Sequence, residues 1–87
     1  MSESERVWLV ERSYSDKGLV TLIYATSDGE RHLRMQRSST MLQSTDVTAA
    51  VDAEVDRLLP VEDEATRDRY AAEAERMRDR HDPDDAV

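Results

Sequence analysis

The chain has no cysteine, which excludes disulfides, thiolate nucleophiles and thiolate zinc sites. Its only glycines are Gly18 and Gly29, too few and too far apart for a P-loop or a dinucleotide-binding fingerprint. No cofactor is therefore expected. Phenylalanine is absent, and Trp8 and three tyrosines are the whole aromatic content. No apolar run approaches the roughly 18 residues that a membrane-spanning helix needs. The opening Met1-Ser2-Glu3-Ser4-Glu5-Arg6 lacks the basic and apolar regions of a signal peptide, so a cytoplasmic location with no membrane contact is expected. Histidine is limited to His32 and His81, without the HxxxH or HxH spacing that suggests a metal site. No G-x-S-x-G element accompanies the serines. The acidic runs Glu62-Asp63-Glu64 and Asp82, Asp84, Asp85 read as hydrated surface. Catalysis is not expected.

Charge is plentiful and one-sided. Of 87 residues 37% are charged, and 20 Asp+Glu against 12 Lys+Arg leave a net −8; an ordinary soluble domain carries about 25%. Leu, Ile and Val together make about 18% of the chain, inside the range where high charge signals disorder. The patterning described below argues for a folded chain instead. Eleven of the twelve basic residues are Arg, with Lys17 alone, and Asp outnumbers Glu by eleven to nine. Heat adaptation favours Lys and Glu. Excess carboxylate, scarce Lys and few large aliphatics fit adaptation to molar salt. There the Debye length falls to about 3 Å and like charges are screened. Salting-out ions also strengthen apolar burial, so a lean core suffices. A GC-rich genome would explain the Arg bias but not the acid excess.

The charge is also uneven along the chain. Residues 1–45 hold six bases and six acids, whereas residues 46–87 hold six bases and fourteen acids. The pattern changes type at the same point. The first half reads as strands within about 6–37: Val7–Val10, Leu19–Ala25 and Arg31–Gln36, bounded by Ser, Asp and Gly clusters. Asp28-Gly29 suggests a two-residue type I′ hairpin, which pairs Tyr24 with Leu33 and Leu22 with Met35. That register puts Val20, Leu22, Tyr24, Leu33 and Met35 on one greasy face. Thr21, Ile23, His32, Arg34 and Gln36 lie on a mixed face. Gly18 suits the left-handed end of a three-residue loop facing Ser15 with Leu19. Trp8, Val10 and Tyr14, with Arg12 an awkward neighbour, then join the greasy face. A loop one residue longer would send Val7, Leu9 and Glu11 inward and leave Trp8 outside.

The second half reads as helices. One is expected over about 41–59, starting at a Thr40–Gln43 capping box or at Thr45-Asp46. Val47, Val51, Val55 and Leu58 form its stripe, and Pro60 stops it. A second is expected over about 63–80, with surface pairs Asp63–Arg67 and Glu73–Arg76, and His81 suits its C-terminal dipole. The tail, about 82–87, is expected to be disordered. The fold class is thus a single α+β domain: a three-stranded antiparallel meander followed by two helices packed on one sheet face. In its salt-adapted composition and strand-then-helix order the chain resembles the small uncharacterised proteins abundant in haloarchaea. That resemblance implies no activity, cofactor or functional residue.

Two groups of residues are candidates for function. Tyr70, Ala74 and Met77 form a thin stripe on the last helix, too small to hold it alone. Either that helix folds back on its own chain or it docks on a second copy, and a homodimer is expected. Arg31, His32, Arg34, Gln36 and Arg37, followed by Ser38-Ser39-Thr40, form the one locally basic stretch. On the mixed face it could lie against phosphates, and an outward Trp8 beside it would make a single-stranded nucleic-acid platform. Alternatively the nearby acids neutralise these arginines. The reading is a non-catalytic interaction or structural protein acting as a homodimer, with a nucleic-acid-binding or regulatory accessory as the alternative.

Overall fold

A computed structural model describes residues 3–40 and 46–87. Among them five strands form one antiparallel sheet: β1 (Ser4–Tyr14), β2 (Leu19–Ala25), β3 (Arg31–Ser38), β4 (Ala50–Glu54) and β5 (Leu59–Pro60), in the order β4-β1-β2-β3-β5. A C-terminal helix, α1 (Glu64–Arg80), completes an α+β fold. Among the described residues no helix is long and apolar enough to cross a membrane.

The β1–β2 loop has the expected form. Ser15 N–H donates to the Leu19 carbonyl at 2.9 Å, and Gly18 closes the loop at φ 75°. Near this turn Tyr14 pairs with Val20 and Arg12 with Leu22, but further along Leu9 pairs with Tyr24 and Trp8 with Ala25, with a shift between Leu9 and Glu11. Two β1 residues thus oppose one of β2, a bulge at Val10. Each of the two registers weighed from the sequence describes half of the strand. Arg12 and Tyr14 share the greasy face near the turn. Beyond the bulge the parity flips, so Val7 and Leu9 turn to that face and Trp8 to the other.

The β2–β3 register matches expectation, with Tyr24 opposite Leu33 and Leu22 opposite Met35. The turn itself is not type I′, because Gly29 has positive φ (74°) and Asp28 does not. The loop instead holds four residues. Thr26 N–H donates to the Arg31 carbonyl (3.0 Å) and Gly29 N–H to the Thr26 carbonyl (2.8 Å). Asp28 stabilises it by accepting from Thr26 Oγ1 (2.5 Å) and from Glu30 N–H (3.0 Å). These two bonds, the Thr26 hydroxyl first, hold the Asp28 carboxyl below its ordinary range.

The helix expected over about 41–59 is a correction. Residues 41–45, which include most of its expected start, lie outside the described residues. Ala50–Glu54 is β4, antiparallel to β1, with Val51 opposite Val7 and Ala53 opposite Glu5. Val55–Arg57 makes a single 3-10 turn, and Pro60 sits opposite Arg31 in the edge strand β5, where its missing N–H costs no central ladder bond. The physical reason is that a spacing of four is even. Val47 and Val51 would share a face of a helix, and as odd-numbered neighbours they also share a face of an extended chain. Both pack against the cluster of Val7, Leu9, Val20, Leu22, Tyr24, Leu33, Ala53 and Leu58.

The packing of α1 is a second correction. It lies on the mixed face, not on the greasy one. Trp8, Ala49, Ala50 and Ala74 form one buried cluster there, and Ala25, Val61 and Tyr70 another. Trp8 brings the large surface, and alanines on β2, β4 and α1 let the backbones approach it. Asp63 caps the helix by accepting from Thr66 N–H and Thr66 Oγ1, both at 2.8 Å. Arg67 does not pair with Asp63 but donates to the Val61 carbonyl at 3.1 Å. Glu73–Arg76 forms as expected at 2.9 Å. Residues 82–87, expected to be disordered, run beside the start of β4: Ala50 N–H donates to the Pro83 carbonyl (3.0 Å), Ala49 N–H to Asp85 (2.9 Å) and Val87 N–H to Val47 (2.8 Å).

The β2–β3 turn abuts the helix so closely that a Cβ on Gly29 would stand 2.2 Å from the Arg67 carbonyl oxygen and 2.8 Å from the Ala71 nitrogen. Gly18 has the same backbone conformation but its nearest neighbour is Ser39 Oγ at 3.5 Å. Gly18→Ala should therefore cost about 1–2 kcal/mol, the penalty of a left-handed L-residue. Gly29→Ala should cost about 3 kcal/mol or more, since the helix must also move. Urea denaturation of the two variants compares them directly, and equal losses would contradict the close contact. For Asp28 the sign follows from its lowered pKa. The turn's contribution is fully present above the ordinary carboxylate value, about 3.9, and is lost as pH falls through the folded value. NMR titration of the Asp28 carboxyl should give a midpoint below that of a free aspartate.

Candidate interaction surface

Strand alternation distributes the basic stretch over both faces of β3. Arg31 lies beside β1 residue Glu5 and forms an ion pair with it. Arg37, opposite Val20, stands on the greasy face. With Arg12 it is close enough to Tyr24 to draw the phenol's pKa down, although burial, the larger effect, pushes it up. The Arg37 guanidinium also donates to the Gln36 carbonyl at 2.9 Å. Arg12 donates to the Val87 carbonyl at 2.9 Å, and Arg6 reaches Asp52 at 3.5 Å. His32, Arg34 and Gln36 point to the other face. The five residues therefore do not form one basic patch.

On that other face α1 divides the sheet. His32 lies under the helix, its ring centroid 6.4 Å from that of Tyr70, with Nδ1 buried and without a hydrogen-bond partner among the described residues. Arg69 of the helix reaches back to Glu11 at 3.2 Å and stands over the Tyr70 ring at 5.3 Å. Beyond this line the sheet is open. Glu11, Ile23 and Arg34 form one cross-strand row, and Ser13, Thr21 and Gln36 the next. Gln36 Nε2 donates to Thr21 Oγ1 at 3.5 Å. Ser13, Arg34 and Gln36 are exposed. Arg34 is the one strand arginine for which the described residues offer no acidic or carbonyl partner.

Two sequence candidates are placed differently from what the site readings need. Trp8 is 6% exposed and lies in the core under α1, so it offers no stacking platform. Tyr70 and Ala74 are buried against their own chain's sheet, and Met77 packs against the same clusters. The stripe that suggested a second copy is thus covered within the chain. The placement of Arg34 and Gln36 on the mixed face agrees with the sequence reading. What the sequence reading missed is the β3 edge beside them, past the two-residue β5.

Burial of Trp8 has a direct readout. Its emission should be blue-shifted and protected from iodide. Ala74→Leu, which overfills the space facing it, should cost about 1–3 kcal/mol and move the emission to longer wavelength. A fully quenchable Trp8 in the unmodified protein would contradict this packing.

Comparison with curated proteins finds no match, and comparison with solved structures finds none. A family model, that of the family of unknown function DUF7967, matches residues 1–87; the chain belongs to that family.

Proposed function

We propose that this chain is a small, salt-adapted, non-catalytic interaction protein whose recognition surface is the open half of the sheet around Arg34. The observation that carries the reading is the state of the strand arginines. Arg6, Arg12, Arg31 and Arg37 each meet a carboxylate or a carbonyl. Arg34 is exposed on a flat polar strip and meets neither among the described residues. In a chain of net −8, an unneutralised cation on a sheet is an uncommon feature, and its natural complement is an anionic group from outside. A nucleic-acid reading has less support, since Trp8 is buried and the arginines are divided between two faces. A homodimer built on Tyr70, Ala74 and Met77 loses its argument for the reason given above.

The salt adaptation rests on composition. Excess acid with little Lys, over a core of mostly Val, Leu and Ala, is the arrangement that concentrated electrolyte stabilises, by screening repulsion and strengthening apolar burial. A cytoplasm rich in potassium chloride, as in haloarchaea, is the proposed setting.

Both parts are testable. The melting temperature should rise steadily between 0.1 and 2 M KCl; an unchanged value across that range would overturn the salt adaptation. For the surface, a photo-crosslinking residue at Thr21 should give a discrete adduct in cells, whereas the same residue at Arg78, on the far end of α1, should not. The Thr21 adduct should disappear with Arg34→Glu. An adduct of twice the chain mass identifies a second copy as the partner. Equal labelling at both positions, or an adduct indifferent to Arg34→Glu, would overturn the reading.

A further inference from the structure

Among the described residues, the outer edge of β3 is occupied only in part. β5 pairs with Arg31 and His32 and ends there. In an antiparallel ladder, successive residues direct their backbone N–H and C=O alternately toward one neighbour and the other. The phase in β3 is fixed at both ends. Arg31 accepts from Thr26 N–H, and Ser39 N–H donates to Gly18, so the odd-numbered residues face β2. His32, Arg34 and Gln36 therefore direct their backbone groups outward. Val61 N–H, donating to the Glu30 carbonyl at 2.8 Å, continues the β5 contact on the same side. Past His32 the described residues supply no strand for Arg34 and Gln36. The Gln36 carbonyl receives a substitute donor, the Arg37 guanidinium.

Three features border this opening. Arg34 is exposed and has no anionic partner among the described residues. Arg37 is held there by a single bond to its neighbour's carbonyl. Leu59, at the end of β5, is 58% exposed and opposite His32, next to the start of the gap. Unpaired backbone groups favour another extended chain, and two arginines favour carboxylates on it. The exposed leucine favours an apolar residue beside them.

We propose that the Arg34–Gln36 edge of β3 binds a short extended acidic peptide segment of a partner protein by strand addition. The segment exchanges backbone hydrogen bonds with Arg34 and Gln36. One carboxylate pairs with Arg34, and an apolar side chain covers Leu59. As the segment docks, its backbone N–H replaces the Arg37 guanidinium on the Gln36 carbonyl, which releases Arg37 to a second carboxylate. A second copy of β3 is a poor occupant, because antiparallel pairing of Arg34 with Gln36 across this window makes the Arg34 side chains of the two copies diagonal neighbours on one face. The inference rests on the interaction reading above and specifies its partner.

The test is an NMR titration of the full chain with a blocked Asp-Val-Val-Asp-Val-Val hexapeptide, whose carboxylates, three residues apart, fall on opposite faces of a strand, in 0.1 M and 2 M KCl. Its lysine-for-aspartate counterpart and an oligothymidylate serve as parallel probes. The Arg34 and Gln36 amides should shift and become protected from exchange, while those of Leu33 and Met35, already bonded to β2, stay protected throughout. Arg34→Glu should weaken binding at least about tenfold. Gln36→Pro removes an outward donor and no β2 bond, and should abolish binding with the β2–β3 ladder intact. Arg34→Glu alone decides the matter if the proline variant does not fold. Unmoved Arg34 and Gln36 amides at millimolar peptide, equal binding of the lysine peptide, or the same shifts produced only by oligothymidylate would each overturn the proposal. Shifts confined to Ser13, Thr21 and Ile23 would overturn strand addition while leaving the interaction reading in place.

Discussion

One extra residue in β1 governs which large apolar side chains fill each face of the sheet in this small chain. An 87-residue protein buries a smaller fraction of its surface than a larger domain does, and this one has few large aliphatics. Without a bulge, the register set at the Ser15–Gly18 turn would put Trp8 and Val10 on the greasy face and Val7 and Leu9 on the other. With the extra residue at Val10, Val7 and Leu9 complete the cluster around Tyr24, while Trp8 is free to anchor the opposite face. The bulge thus decides that the helix sits on the indole of Trp8 rather than on Val7 and Leu9. A fully buried large apolar side chain contributes roughly 1.5–3 kcal/mol, so three such residues matter greatly in a chain of this size.

The seat explains why α1 is held despite its weak amphipathicity. Its contacts are a tyrosine, an alanine and a methionine, and an isolated helix with so narrow a stripe would gain little. Here Ala74 meets Trp8, and the Gly29 turn allows backbone to touch backbone. Close approach lets small residues bury efficiently, which large ones on either side would prevent. The carboxylates on the outer side of the helix remain in solvent, so the acid excess of the second half need not enter the packing.

Much of this was legible in the residues. The β2–β3 register, the Ser15–Gly18 loop, the span of the last helix and the stripe Tyr70, Ala74, Met77 all follow from local spacing. Three things were not. Val47 and Val51 fit a helix and a strand equally well, and β1, more than forty residues away, selects the strand. The bulge at Val10 has no glycine to mark it, so each candidate register was correct on one side of it. The grouping of Arg31, Arg34 and Arg37 by sequence proximity ignored the pleat, which separates Arg34 from the other two. Of the candidate site, the residues of the exposed strip were within reach, whereas the free edge depends on β5 stopping after two residues.

The way residues 82–87 are tied down also constrains how the molecule can form. Ala49, Ala50 and Val47 bond to that segment, and Arg12 reaches Val87, so earlier positions of the chain await partners made later in synthesis. On the ribosome the two hairpins can assemble early, but Trp8 must remain uncovered until Ala74 has left the exit tunnel. Non-local pairing of this kind slows folding and prolongs exposure of apolar surface. Covering of Trp8 therefore follows synthesis of α1, and a nascent chain stalled or clipped before that helix would display an indole that the finished one hides.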